Sequence, residues 1–327
     1  MPVFDIDLKK YLTPTAIARL IENTPPIVMP ITNIVFKSSK QHPLPVIGLD
    51  EIAEIIQNVP VVRRGTPAYP LDNGTRQVTY IEPQPIEISK FLSAAILNNW
   101  RVLSPTSIEQ AINNENARLL QTARKTGEAL CTQALTGTIS YQMRTDAGED
   151  TYEVAFGTPL SYTPDTPWNS ADAAIETILK DLMEMESYIQ DSGWGGDNIV
   201  LAGKSAFQAA VKVASNRPNN SPIAATIDKK EVNIAGYTIR LVNSSYRGAD
   251  GTSVPAIPAN KVCMVDTAAP HTRFFLALDD IEAGLVPLPF FVSSEMQRDP
   301  SGVKLIGKSK PIPAPVVKAI CWATVIS

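Results

Sequence analysis

One stretch of the chain spells a nucleotide-binding motif. Gly302-Val303-Lys304-Leu305-Ile306-Gly307-Lys308-Ser309 reads G-x-x-x-x-G-K-S. In that pattern a strand feeds a glycine turn, and the amides of a following helix cradle phosphate. Here Lys310 is followed by Pro311, Pro313 and Pro315. Prolines lack the amide hydrogen and clash within a helix, so no helix starts and continues there. Glu295 to Ser301 does not read as a buried strand. The motif is therefore expected to be an ordinary β-strand. A near match at Gly203-Lys204-Ser205 has Asn198 where the first glycine belongs.

Paired acids could act as acid and base or bind hard metals. Glu184 and Glu186 are two apart on an expected helix, point about 200° apart and do not converge; both are expected at the surface. Asp279, Asp280 and Glu282 follow an expected strand and read as a turn. Ordinary nucleophilic catalysis would need one of two histidines, His42 or His271, and His42 sits before Pro43. Cys131, Cys263 and Cys321 are far apart, odd in number and without CxxC spacing. A disulfide framework or zinc site is not expected, a reducing cytoplasm fits, and core filling is the expected role. Gly193-Trp194-Gly195-Gly196 precedes a strand rather than a helix, so it reads as loop punctuation. No catalytic, cofactor or metal site emerges.

Proline punctuates the elements that would carry any site. It makes up 27 of 327 residues against 17 glycines, with 12 prolines in residues 1–85 and none in 106–158 or 168–217. Charged residues are 19% of the chain, hydrophobic residues 44%, and net charge is −4. This argues against disorder and against a general nucleic-acid binder; Arg63-Arg64 and Lys229-Lys230 read as solvated loops. A low-charge surface suggests burial against partners. No apolar run reaches the ~18 residues of a membrane span, and the first ten residues do not form a signal peptide.

Residues 1–47 predict one helix, Thr13 through Glu22, with Thr13 as N-cap and Pro14 at the first helical position. The rest predicts an extended arm that must lay Ile27, Val28, Ile31, Ile34, Val35 and Phe36 on another surface. Residues 48–95 predict a long hairpin turning at Asp72-Asn73-Gly74 and returning through Gln77–Ile81. Pro105 and Ser107 open a helix of about thirty residues, roughly 45 Å, which Gly137 closes. Its stripe is Ile108, Ile112, Leu119, Ala123, Leu130 and Ala134, with Arg118, Arg124, Lys125 and Glu128 on other faces. A hairpin over 138–157, a helix from Ser170 to about Gln190, a buried strand Asn198–Ala202 and a helix Ser205–Ser215 follow. Beyond residue 217 the chain reads mostly β. The fold class is α+β, with no βαβ repetition.

This order of parts resembles a tailed-phage major capsid protein of the Hong Kong 97 fold, and within it the phage lambda E-type capsid protein family. Two segments carry the resemblance. One is Asp172 to Phe207, with its Gly193-Trp194-Gly195-Gly196-Asp197-Asn198 loop and Gly203-Lys204-Ser205-Ala206-Phe207. The other is Arg298-Asp299-Pro300-Ser301-Gly302 through the Pro-rich stretch to the C-terminal strand.

The resemblance implies an N-terminal arm (1–47), an E-loop (48–95), a peripheral domain (96–164) with a spine helix (105–136), an axial domain (165–295) and returning strands (296–327). It implies hexamers and pentamers closing an icosahedral head around packaged double-stranded DNA, assembled in the host cytoplasm. E-loop-tip contacts between subunits would involve Arg63, Arg64, Tyr69, Asp72, Asn73 and Arg76. Further partners would be a portal, a decoration protein and, since only about 47 residues precede the E-loop, a separate scaffolding protein. No lysine lies between Lys40 and Lys90. Arginine cannot lose its proton as isopeptide chemistry requires, so no cross-link is expected. The rival readings are an encapsulin-type nanocompartment, a P-loop nucleotide-binding enzyme and another self-assembling phage protein such as a tail tube.

Overall fold

A computed structural model describes residues 12–48, 80–100, 105–218, 221–248 and 251–327. The chain divides into two compact units, each assembled from three separate stretches.

The first unit comprises Met1–Val46, Glu82–Cys131 and Thr272–Pro313. Its opening helix is Pro14–Asn23, and the Thr13 hydroxyl caps it by accepting the Ala16 amide at 3.3 Å. The expected extended arm is only partly extended. Pro30–Ile34 is a short helix with proline in its first turn, and its cap residue Met29 makes no side-chain cap bond. The strand Ser38–His42 then pairs in parallel with Thr272–Leu276, in a three-stranded sheet completed by Pro311–Ala314. The arm thus finds its surface within its own unit: Ile31, Ile34, Val35 and Phe36 are buried, while Val28 stays 84% exposed.

A second three-stranded sheet is antiparallel, in the order Phe291–Gln297, Gly302–Ser309, Ile86–Ser93. The strand before the glycine motif is therefore longer than its polar sequence indicates. Phe291–Ser293 is buried, and Glu295–Gln297 is an exposed extension held by pairing to Gly302–Lys304.

The long helix is Pro105–Ala134, 30 residues. Its predicted stripe is buried at Ile112, Leu119, Ala123, Leu130 and Ala134. Each leucine or isoleucine among these stabilises by about 1.5–3 kcal/mol when fully buried. Gly137 ends it at φ +81°, where a Cβ would lie 2.0 Å from the Gly157 carbonyl oxygen; no other residue fits. Glu128, expected on a non-core face, is instead 8% exposed.

The second unit comprises Ile47–Ile81, Thr132–His271 and Ala314–Ser327. Its seven-stranded sheet runs in the order Leu160–Tyr162, Ile320–Thr324, Lys261–Asp266, Asn198–Ala202, Tyr237–Leu241, Glu231–Ile234, Ala225–Ile227. Helices Ile175–Asp191 and Lys204–Ser215 share its core, centred on Ile178, Leu182, Phe207, Val232 and Met264. Asn198–Ala202 pairs in parallel with Tyr237–Leu241, and Lys204–Ser215 lies between them in sequence. One strand–helix–strand crossover is therefore present, a single unit in a fold that, as expected, has no βαβ repetition. The two-strand excursion at 225–234 inside the connection hides it in sequence.

Ala235 and Gly236 take φ of +50° and +98°, the left-handed pair that joins adjacent antiparallel strands in a two-residue hairpin. Thr138–Thr145 and Gly148–Ala155 form the expected hairpin, and Ile47–Gly48 pairs with Tyr80–Ile81. The helix expected from Ser170 starts five residues later, at Ile175. Trp168 accounts for the delay: its amide donates to Val325 O and its ring nitrogen to the Asp181 carboxylate at 2.7 Å, which holds 168–173 in turns.

Candidate functional site: chemical motifs and assembly surfaces

The G-x-x-x-x-G-K-S motif is the central strand Gly302–Ser309. Its two glycines serve packing. A Cβ on Gly302 would lie 2.4 Å from Leu92 O, and one on Gly307 would lie 2.9 Å from the Phe290 ring. The strand pairs along its whole length with neighbours on both sides, so its amides do not converge on a phosphate. Lys308 reaches Asp280 at 3.0 Å and Glu87 at 3.4 Å. Burial alone would favour its neutral form, but the two carboxylates prevail and raise its pKa. Lys310 is 2% exposed and donates to Asp279 at 2.9 Å. Asp280 also accepts the Glu282 and Ala283 amides. The acidic cluster is thus a turn, as expected, tied by two ion pairs to the strand beside it.

His271 is buried. Its Nδ1 accepts the Val316 amide at 3.1 Å, so its Nε2 must carry the hydrogen that bonds Asp266 O at 3.1 Å. Burial, opposed by Asp266, lowers its pKa to about 4. A ring with both nitrogens bonded to backbone is not placed to shuttle protons. The three cysteines are free and buried; desolvation pushes the Cys131 and Cys321 thiols to about 12 and Cys263 well above its usual value.

The glycine loop at 193–197 resembles an anion cradle, and its anion is internal. Asp266 accepts amides from Gly195 (2.7 Å), Gly196 (3.0 Å), Asp197 (3.0 Å) and Ala268 (2.9 Å). Burial raises this carboxyl's pKa, but the four amides outweigh it and hold it below the usual range. Nearby, Glu186 departs from the expected surface position. It is half-buried and accepts from Asn198 at 3.0 Å and from the Tyr237 hydroxyl. Asp181, which the sequence reading passed over, is buried and accepts both Trp168 Nε1 and the Tyr162 hydroxyl. Its signal was a lone acid inside an apolar helix stripe.

In the first unit three ionic side chains clasp the arm's backbone. Glu128 accepts the amides of Ile31 (2.8 Å) and Thr32 (2.9 Å), which caps the short helix that lacks a local cap. Arg124 donates to Ile21 O and Thr24 O at the end of the first helix. Arg273 donates to Phe36 O. Apart from a side-chain bond between Thr32 and Glu128, the partners are backbone groups, so the side-chain pattern in 21–36 does not announce the clasp.

Exposed apolar side chains mark surfaces available to partners: Val28 (84%), Ile281 (89%), Leu285 and Met296 (80%). Arg63, Arg64, Tyr69, Asp72, Asn73 and Arg76, the expected E-loop contacts, lie outside the described residues.

The family model for phage major capsid protein E matches residues 13–325. A protein assigned as the capsid protein of an E. coli CFT073 prophage has a similar crystal structure: TM-score 0.66, 14% identity, covering 97% of this chain and 99% of the other. The capsid of cyanophage A-1(L) is similar at TM-score 0.54 and 12% identity, covering 93% and 94%. No curated protein sequence matches the chain.

Proposed function

The chain belongs to the phage major capsid protein E family, is a structural shell protein of the Hong Kong 97-type fold rather than an enzyme, and, we propose, closes an icosahedral head as hexamers and pentamers around double-stranded DNA. The family match across residues 13–325 carries this reading. The net charge of −4 supports a container that holds DNA without specific contacts.

Within that frame residues 1–47 act as the N-terminal arm and 48–95 as the E-loop. Residues 96–164 form the peripheral domain, 165–295 the axial domain, and 296–327 return to the peripheral domain. The 30-residue helix Pro105–Ala134 supports the assignment of a spine over 105–136. The E-loop tip, with Arg63, Arg64, Tyr69, Asp72, Asn73 and Arg76, reaches a neighbouring subunit. The lysine-free stretch from 41 to 89 leaves the loop without an amine for isopeptide bonds. A separate scaffolding protein, a portal and a decoration protein are the further partners, and assembly takes place in the host cytoplasm.

Electron microscopy of the purified chain, expressed with and without a scaffold, tests the proposal. Capsomers or icosahedral shells are expected. A monomer that forms no assemblies even with a scaffold would overturn it.

A further inference from the structure

The clasp in the first unit encloses more than backbone. A cavity of about 350 Å³ is lined by Arg124 and Arg273, by the hydroxyl residues Thr32 and Ser39, and by an apolar wall that includes Phe275 and Phe290. Among the described residues, no carboxylate lines it.

Two positive groups share this wall, and one acid, Glu128, acts on them through its charge on Arg273. Arg124 uses two of its five N–H donors on Ile21 O and Thr24 O. Arg273 donates through Nε to Phe36 O and lies 5.9 Å from the Phe275 ring centroid. Among the described residues, neither makes an ion pair. Burial, and then the charge of Arg273, lower the Arg124 pKa, so the two guanidiniums feel each other. Glu128 is the acid in the same network, but its two oxygens already accept the amides of Ile31 and Thr32. The count is two positive charges against at most one negative. Partly desolvated like charges destabilise one another unless an anion intervenes.

We propose that this cavity binds a small inorganic oxyanion of the phosphate or sulfate class, held between the Arg124 and Arg273 guanidiniums. The forked donors of arginine match two oxygens of such an ion. The volume leaves room for water beside it, each molecule taking ~30 Å³ in the liquid. The bound ion stabilises the arm against the long helix, because Arg124 and Arg273 are the side chains that also hold residues 21–36.

The test uses the full-length chain, with thermal melts and titration calorimetry in inorganic phosphate, in sulfate and in chloride at matched ionic strength. Phosphate or sulfate is expected to raise Tm by roughly 2–4 °C over chloride. Arg273→Gln is expected to lose that difference, whatever its own Tm. Arg118→Gln, at an exposed arginine outside the cavity, is expected to keep it. If Arg273→Gln does not fold, Ser39→Asp decides: a carboxylate at the exposed rim replaces the ion and removes the phosphate response. Equal melts in phosphate and chloride for the natural sequence, or an undiminished response in Arg273→Gln or Ser39→Asp, would overturn the proposal.

Discussion

The carboxylate of Glu128 accepts the backbone amide of Ile31 at 2.8 Å across 97 residues of sequence. A side chain on the long helix thereby caps a helix whose own sequence supplies no cap.

Glu128→Ala leaves the amides of Ile31 and Thr32 without acceptors in a buried place. A cost of about 3 kcal/mol is expected, from two unmet donors and a lost cap. Urea melts measure it, and limited proteolysis should show new cleavage between residues 24 and 36. Unchanged protection there would mean that the clasp does not hold the arm.

His271 makes stability depend on pH. Its folded pKa, about 4, lies below the ordinary 6.5, so between these values the unfolded chain binds more protons than the folded one. Stability from this group is present above pH 6.5 and is lost as pH falls toward 4. The full span is worth ~3 kcal/mol. In urea titrations from pH 7 to 4, His271→Gln is expected to be the less stable protein at pH 7, with the gap narrowing toward pH 4. A constant gap would refute the neutral, doubly bonded ring.

Lys308 tests the rejected motif. The natural chain is expected not to bind ATP or GTP in equilibrium dialysis. Lys308→Met should cost about 1 kcal/mol, since its ion pairs with Asp280 and Glu87 are partly reached by solvent. Micromolar nucleotide binding abolished by Lys308→Met would restore the enzymatic reading.

Ile281 is 89% exposed in the turn that Asp280 organises. Ile281→Asp is expected to leave the Tm of the unassembled chain within about 1 °C, as surface substitutions do, while reducing capsomer and shell yield in electron micrographs. Normal shell yield would remove this turn from the assembly contacts.

Legibility in the sequence followed the range of the interactions. The capped helix at Thr13, the 30-residue helix ended by Gly137, and the hairpin around 146–147 rest on local backbone preferences and were readable. Pro311, Pro313 and Pro315 likewise identified the glycine motif as a strand. The helix Pro30–Ile34, the late start at Ile175 and the crossover between Asn198–Ala202 and Tyr237–Leu241 were not readable, since each is set by a partner far along the chain.

The same division holds for the polar residues. Sequence alone determined which segments could be helix, strand or stiff arm, because steric limits on proline, glycine and apolar periodicity act within a few residues. Only the tertiary structure decided that Glu128, Asp266 and Asp181 would be buried. A carboxylate leaves water only where several donors converge, and the Gly195, Gly196, Asp197 and Ala268 amides converge on Asp266 through folding alone.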